Sequence, residues 1–412
     1  MSASKLIGPF TEILPLSGLP LKGSLKEESL QIIKNGGILI EGQNIKEIGS
    51  YNDLYKKFKE EAIIEEVPRD HVLLPGFIDA HTHMCFAGSR AADYAIKISG
   101  GSYQDILHAG GGIHDTVSKT RAAKETDLYA SLINRCTRHL LEGITTAEVK
   151  SGYGLSLEDE LKILRVINKA GKDHLIDIIP TCLAAHIKPK EFDSEELYLE
   201  MIQDQLFPLI REKKLSDRID IFVEKGAFLK KMAKPFLEKA KAEGFNITIH
   251  ADQFTTGGSA LAVEIRASSA DHLEASGEAE IKLLASSNVV AIALPGASLG
   301  LGMPFTPARK LLDNGACLAI ASDWNPGSAP MGDLLLQAAL LGAFEKLTTA
   351  ETFAGITYRA ASALQMQDRG ILAAGNLADF IAFPTHDYRE ILYHQGKLKP
   401  VEVWKRGQKV EM

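Results

Sequence analysis

Two histidines separated by one residue close an apolar run, Phe77-Ile78-Asp79-Ala80-His81-Thr82-His83. In an extended strand, residues i and i+2 point to one face, so His81 and His83 can offer two imidazoles to one cation. Three more apolar runs stop at a ligating side chain: residues 246–249 lead into His250, residues 270–271 into His272, and residues 319–322 into Asp323. Each of these alone reads as a helix cap or a satisfied polar residue. Together they assemble nitrogen and carboxylate donors suited to a catalytic Zn²⁺ or Fe²⁺ with one position left open. The chemistry of such a centre is hydrolysis, because a bound cation brings the pKa of water towards neutrality.

Such donors need a scaffold that brings distant strand ends together. Eight short apolar runs occupy the middle of the chain, at residues 72–79, 145–149, 176–183, 219–223, 245–249, 269–272, 289–294 and 317–322. Charge-rich helical stretches separate most of them, at 157–170, 194–212 and 230–243 for example. Strand–helix alternation implies parallel βαβ units, and eight units predict a (β/α)₈ TIM-like barrel over residues 75–369. In that fold the C-terminal strand ends, where the candidate ligands stand, form the active face. A doubly wound open sheet is the rival, but no GxGxxG follows any of these strands. The Gly-rich stretch 109–113 follows no strand and lacks the phosphate-binding Lys, so it is expected to be a turn or substrate loop.

The chain ends are β-like. Residues 38–42 and 44–49 flank a Gly-Gln turn, residues 375–383 form another apolar run, and residues 401–407 alternate at period two. Neither end can bury a core alone, so residues 1–74 and 370–412 are expected to combine into one small β-sandwich domain.

Composition narrows the function classes. Lys and Arg number 46 against 53 Asp and Glu, a formal charge of −7 that disfavours nucleic acid and anionic membrane as partners. Cys85, Cys136, Cys182 and Cys317 form no CxxC, which excludes a zinc ribbon and fits a reducing compartment. The longest charge-free run, 283–308, is broken by three prolines and reads as buried strand and loop rather than a membrane span. No secretory signal is visible, and a cytoplasmic location is expected.

The quoted motifs resemble the metal-dependent amidohydrolase superfamily and, inside it, the ring-opening hydrolases of histidine degradation. Beyond the HxH pair, the specific stretches are Ala87-Gly88-Ser89-Arg90, Ala109-Gly110-Gly111-Gly112-Ile113-His114, Lys150-Ser151-Gly152-Tyr153-Gly154, His250-Ala251-Asp252 and Asp323-Trp324-Asn325-Pro326-Gly327-Ser328. The resemblance spans almost the whole chain. It implies one Zn²⁺ or Fe²⁺/Fe³⁺ held by His81, His83, His250 and Asp323. It also implies substrate contacts from Arg90, Tyr103, Tyr153, His186, Asn325, Gly327 and Ser328. The implied substrate is a five-membered imidazolone with a propionate tail, opened at its ring amide to N-formimidoyl-L-glutamate. An Arg fork suits the tail carboxylate, and backbone N–H groups of Gly327 and Ser328 are expected to help hold it. Asp323 and His272 are the expected proton carriers.

One residue departs from the pattern. Gln253 stands three positions after His250, where many relatives carry Glu. An amide cannot act as a general base, so Gln253 is expected to orient the ring or the water. Lys225, near the end of the fourth strand, stands comparably to the modified Lys of binuclear relatives, but the surrounding pattern predicts a single metal. The resemblance further implies a homodimer. A nucleobase or cyclic-amidine deaminase would use the same metal set. Arg90 argues against it, since a neutral base has no carboxylate to hold. A catalytically dead scaffold is disfavoured because all four candidate ligands are present.

Overall fold

A computed structural model describes residues 4–68 and 70–411; the Tyr103 side chain lies outside the described part. Two eight-stranded sheets organise the molecule. The first joins the chain ends: β1 (Ser4–Ile13), β2 (Ile33–Glu41), β3 (Asn44–Ser50), β4 (Ala62–Glu66) and β5 (His71–Pro75) from the N-terminal part, with β14 (Phe380–Pro384), β15 (Glu402–Lys405) and β16 (Gln408–Lys409) from the C-terminal part. The order is β16-β15-β14-β5-β1-β2-β3, with β4 parallel to β1. The join is β5 against β14, antiparallel, with Leu74 opposite Ile381. The Gly42-Gln43 turn closes the β2–β3 hairpin where the sequence placed it. Ile7 and Leu6 face opposite sides of β1, Ile7 towards a cluster with Trp404 and Leu6 towards another beneath the helix Tyr51–Phe58; a register shift between Ile7 and Phe10 returns Phe10 to the Ile7 side.

The second sheet is the nearly closed parallel barrel, in sequential order: β6 (Phe77–Asp79), β7 (Ile144–Lys150), β8 (Asp177–Ala185), β9 (Arg218–Val223), β10 (Asn246–Ala251), β11 (Ser269–His272), β12 (Val290–Ala293) and β13 (Cys317–Ile320). The last strand meets the first through its extension. Asp323 N–H donates to the His81 carbonyl and His83 N–H to the Trp324 carbonyl, each at 3.0 Å. Asp79 reinforces this seam. Its carboxylate accepts from Ser322 N–H at 2.9 Å and lies 3.0 Å from His139 Nε2. The seam therefore fixes His81, His83 and Asp323 relative to one another.

One expected strand is two. The run at 72–79 breaks at Gly76, with β5 in the terminal sheet and β6 in the barrel. Gly76 N–H bonds the Asp379 carbonyl at 3.0 Å, and a side chain there would collide with Thr145. Pro75 stands at that end of β5, where no ladder N–H is needed.

The barrel helices bury apolar faces as their spacing predicts. The helix Leu157–Asp173, capped by Ser156, buries Leu161, Leu164 and Ile167. Between β6 and β7 lies a longer excursion with helices Ala91–Ile98, Tyr103–His108, Ile113–Ala122 and Glu125–Leu141. It carries Arg90 and the Gly-rich turn to the active face. Among the described residues, no helix is long and apolar enough to cross a membrane.

Candidate active site

Each proposed ligand sits at a C-terminal strand end of the barrel. His83 Nε2 lies 3.3 Å from His81 Nε2 and 3.2 Å from His250 Nε2. Asp323 Oδ1 lies 3.5 Å from His81 Nε2 and 3.3 Å from His83 Nε2. A tetrahedral cation with bonds of about 2.0–2.1 Å would hold its donors about 3.4 Å apart. All four residues are buried. Asp323 Oδ1 has no hydrogen-bond partner, whereas its Oδ2 accepts from Asn325 Nδ2 at 2.9 Å.

Protonation makes the same demand. His81 Nδ1 is 2.7 Å from Asp271 Oδ2 and His250 Nδ1 is 2.9 Å from Asp220 Oδ2. Asp271 accepts from His81 Nδ1–H, and the Asp220 carboxylate behind His250, close but not aligned for a hydrogen bond, favours a proton on Nδ1 by its charge, so that Nε2 of each ring faces inward. Burial pushes His83 and His250 down to about 3, so both are neutral. Burial and Lys150 also oppose a charge on His81, but Asp271 and Asp323 overcome them and bring it up to about 9. Without a metal, His81 therefore keeps a second proton on the nitrogen that faces Asp323, while neutral His83 and His250 crowd the same point; a bound cation would take the place of that proton and meet the inward nitrogens and the carboxylate together. The residues fit a metal.

Lys150, at the end of β7, is completely buried beneath this cluster. Its Nζ is 2.6 Å from Glu148 Oε1, 2.9 Å from Asp220 Oδ2 and 3.9 Å from Asp271 Oδ2. Burial alone would lower its pKa, but these carboxylates hold it above the usual lysine value. The Lys150 ammonium, even with the proton on His81, does not balance the four carboxylates of Glu148, Asp220, Asp271 and Asp323. The buried deficit favours a divalent cation. Lys225 is exposed in a turn, and among the described residues it is in neither group of side chains that could hold a metal.

His272 completes the ring of imidazoles, its centroid 5.2 Å from that of His250 and 5.8 Å from that of His81. Its backbone is held at φ 88°, followed by Leu273 at 72°. Such a conformation is costly for a non-glycine residue and persists where the surroundings impose it. Here Thr306 Oγ1 donates to the His272 carbonyl, and the buried Glu274 carboxylate lies 3.6 Å from His272 Nδ1.

A cavity of about 410 Å³ opens over the cluster. It brings together His83, Arg90, Tyr153, His186, His250, Gln253, His272, Asp323, Asn325, Gly327 and Ser328. The His186 ring stacks on His83 at 5.4 Å, and burial keeps it neutral, down to about 4. Burial holds the Tyr153 hydroxyl protonated, above the usual phenol value. Tyr103 opens the helix Tyr103–His108, but the position of its side chain lies outside the described residues. The N–H groups of Gly327 and Ser328, expected to stand bare, instead donate to Asn325 Oδ1 at 2.7 and 2.8 Å. The Asn side chain closes a turn on its own backbone, a habit the Asn-Pro-Gly-Ser sequence advertises.

Several buried polar residues of the site were not singled out from sequence: Lys150, Asp220, Asp271 and Glu274. Their signal was present. A charged residue inside an apolar barrel strand must have a partner, and Asp220 stands in Arg-Ile-Asp-Ile-Phe-Val. Asp93 and Glu224 were also missed. Glu224 anchors the loop after β10 by accepting from Phe254 and Thr255 N–H at 2.9 and 3.0 Å.

Strand-end ligands around a cavity, with a buried charge deficit that calls for a cation, define a barrel hydrolase of the metal-assisted class. A model described as the amidohydrolase family matches residues 72–410. The chain is 38% identical over 410 residues to imidazolonepropionase of Bdellovibrio bacteriovorus, covering 98% of this chain and 96% of the relative. It is 41% identical over 336 residues to imidazolonepropionase of Deinococcus radiodurans, covering 81% and 83%. The chain belongs to the amidohydrolase family and, within it, to the imidazolonepropionases. Among solved structures, the fold is similar to ochratoxinase of A. niger, with TM-score 0.71, 18% identity and coverage of 99% and 95%. It is also similar to an adenosine deaminase from Xanthomonas campestris, with TM-score 0.70, 17% identity and coverage of 99% and 93%.

Proposed function

We infer that this chain opens the ring amide of 4-imidazolone-5-propanoate to give N-formimidoyl-L-glutamate. The observation that carries this reading is one cavity lined both by a His/Asp cluster suited to a cation and by the guanidinium of Arg90. A compact ring with an anionic tail matches both. A neutral nucleobase would leave Arg90 unmatched, which disfavours a deaminase.

In this reading His81, His83, His250 and Asp323 hold one Zn²⁺ or iron ion. When bound, the metal supplies an acidified water and a positive charge near the ring carbonyl oxygen. The protein does the rest. Arg90 binds the tail carboxylate, and Tyr153 and His186 pack against the ring. Gln253 orients ring or water through its amide. Asn325 holds Asp323 Oδ2 and shapes the Gly327-Ser328 turn, which lines the tail end; the Tyr103 hydroxyl is a further proposed contact. Water oxygen adds to the ring carbonyl carbon, the C–N bond breaks, and the proton given up by water reaches the departing ring nitrogen through Asp323 and His272. A homodimer in the cytoplasm is part of the same proposal.

The test is the ultraviolet decay of freshly generated imidazolonepropionate with purified protein, before and after chelation. Decay with formiminoglutamate appearing, abolished by chelator and restored by metal, supports the reading. No decay with metal bound discards the substrate.

A further inference from the structure

Arg90 is not free to swing. Its Nε donates to Asp93 Oδ2 at 2.8 Å, and the same oxygen accepts Gly112 N–H at 2.9 Å. Asp93 lies one helical turn on, in the helix Ala91–Ile98 that Arg90 caps. The Gly-rich turn packs directly on it, since a side chain at Gly111 would collide with the Asp93 carboxylate. On the other side, a side chain at Gly327 would collide with Arg90 Nη1. Among the described residues neither terminal nitrogen of Arg90 hydrogen-bonds to protein, and both Arg90 and Asp93 line the cavity.

We propose that Asp93 is the positioning residue for tail recognition. It consumes the Nε edge of Arg90, ties it to the Gly110–Gly112 turn, and leaves the Nη edge as a preoriented fork for a carboxylate at a fixed distance from the ring site. A guanidinium held in this way loses little freedom on binding, so its affinity for a correctly placed carboxylate is raised without new contacts. The Gly-rich turn thus takes a role in specificity without touching the ligand. Asp93 acts only through Arg90 and takes no part in ring opening. This inference rests on the proposed substrate, because it explains how that substrate's tail is selected.

The experiment compares steady-state kinetics of the metal-loaded protein on imidazolonepropionate and on 4-imidazolone lacking the tail. For Asp93→Ala, KM on the tailed substrate is expected to rise about tenfold or more with kcat within about twofold. The tail-less ring is expected to show no change. Asp93→Asn, which can still accept both hydrogen bonds, restores most of the lost KM. Gly111→Ala, which pushes on Asp93 from the turn, reproduces the KM effect, and it decides the matter if Asp93→Ala does not fold. Equal losses on both substrates, or an unchanged KM on the tailed one, overturn the assignment of Asp93. Wild-type protein inactive on imidazolonepropionate instead overturns the proposed substrate, so the two failures are separable.

Discussion

Asp220 Oδ2 lies 2.9 Å from Lys150 Nζ and 2.9 Å from His250 Nδ1, so one buried oxygen serves a structural ammonium and a candidate metal ligand together. Removing the ammonium leaves the carboxylates beneath the site in a low-dielectric interior without their cation. Lys150→Met is therefore expected to cost about 3–5 kcal/mol of folding stability, the usual penalty for breaking a buried pair on one side. Urea unfolding at neutral pH reads it directly. A loss below about 1 kcal/mol would mean that protonation or water relieves the carboxylates more easily than burial suggests.

Asp220 also stands directly behind His250 Nδ1, where its charge favours a proton on that nitrogen. An amide in its place is a weaker acceptor and can present N–H towards Nδ1, favouring the wrong tautomer. Asp220→Asn should weaken metal affinity about 10–100-fold while leaving the ligands themselves in place. Competition with a chromophoric chelator measures this without reference to turnover. Affinity unchanged within about twofold would deny that Asp220 supports the ligand.

These buried residues mark where sequence reading ran out. The clustering of the candidate ligands was legible because period two and strand ends are local properties. His81-Thr82-His83 announces its geometry in three residues, and the runs before His250, His272 and Asp323 each stop at a polar donor. The eight barrel runs were legible for the same reason, being apolar segments between helical ones. Asp271 was read only as the residue before His272, because its contact with His81 crosses 190 positions of sequence. Lys150 stood in a recognised stretch without a role, since only the folded barrel shows which carboxylates converge on it. The break at Gly76 was signalled by Pro75-Gly76, but an uninterrupted apolar run masked it. The bare amides expected at Gly327 and Ser328 failed for a local reason: Asn325 reaches its own turn before any ligand can.

A second charged cluster lies at the opposite end of β8. Asp177 is 2.6 Å from Arg369 Nη1, 2.8 Å from Lys405 Nζ and 2.8 Å from Arg406 Nη2, tying the barrel to the terminal sheet. Burial alone would raise the Asp177 pKa, but Lys405 and Arg369 lower it below the ordinary carboxylate value. The folded state thus binds this proton less readily than the unfolded chain. The contribution is fully present above the unfolded pKa of about 3.9 and disappears as pH falls through the lower folded value. The stability gap between wild type and Asp177→Asn should stay constant from about pH 5 to 7 and narrow below about pH 4. Urea midpoints across that range test it, and a gap undiminished near pH 3 would assign the effect to packing instead.

Gln253 is held at the cavity wall by the loop on either side of it. Before it, Asp252 sits at φ 52° with its carboxylate accepting Gly258 and Ser259 N–H at 2.8 and 3.1 Å. After it, Glu224 accepts Phe254 and Thr255 N–H. Two buried carboxylates thus clamp the loop on either side, and the amide lines the cavity. If proton traffic runs through Asp323 and His272, Gln253→Glu alters kcat by less than about tenfold, whereas His272→Asn lowers it by about 10²–10⁴-fold. His272 stands at the cavity wall with Glu274 behind its Nδ1. Rate measurements on both variants at equal metal content separate the cases. A gain of several orders of magnitude from Gln253→Glu would show that a carboxylate at this position is the missing base and that the native site runs below its capacity.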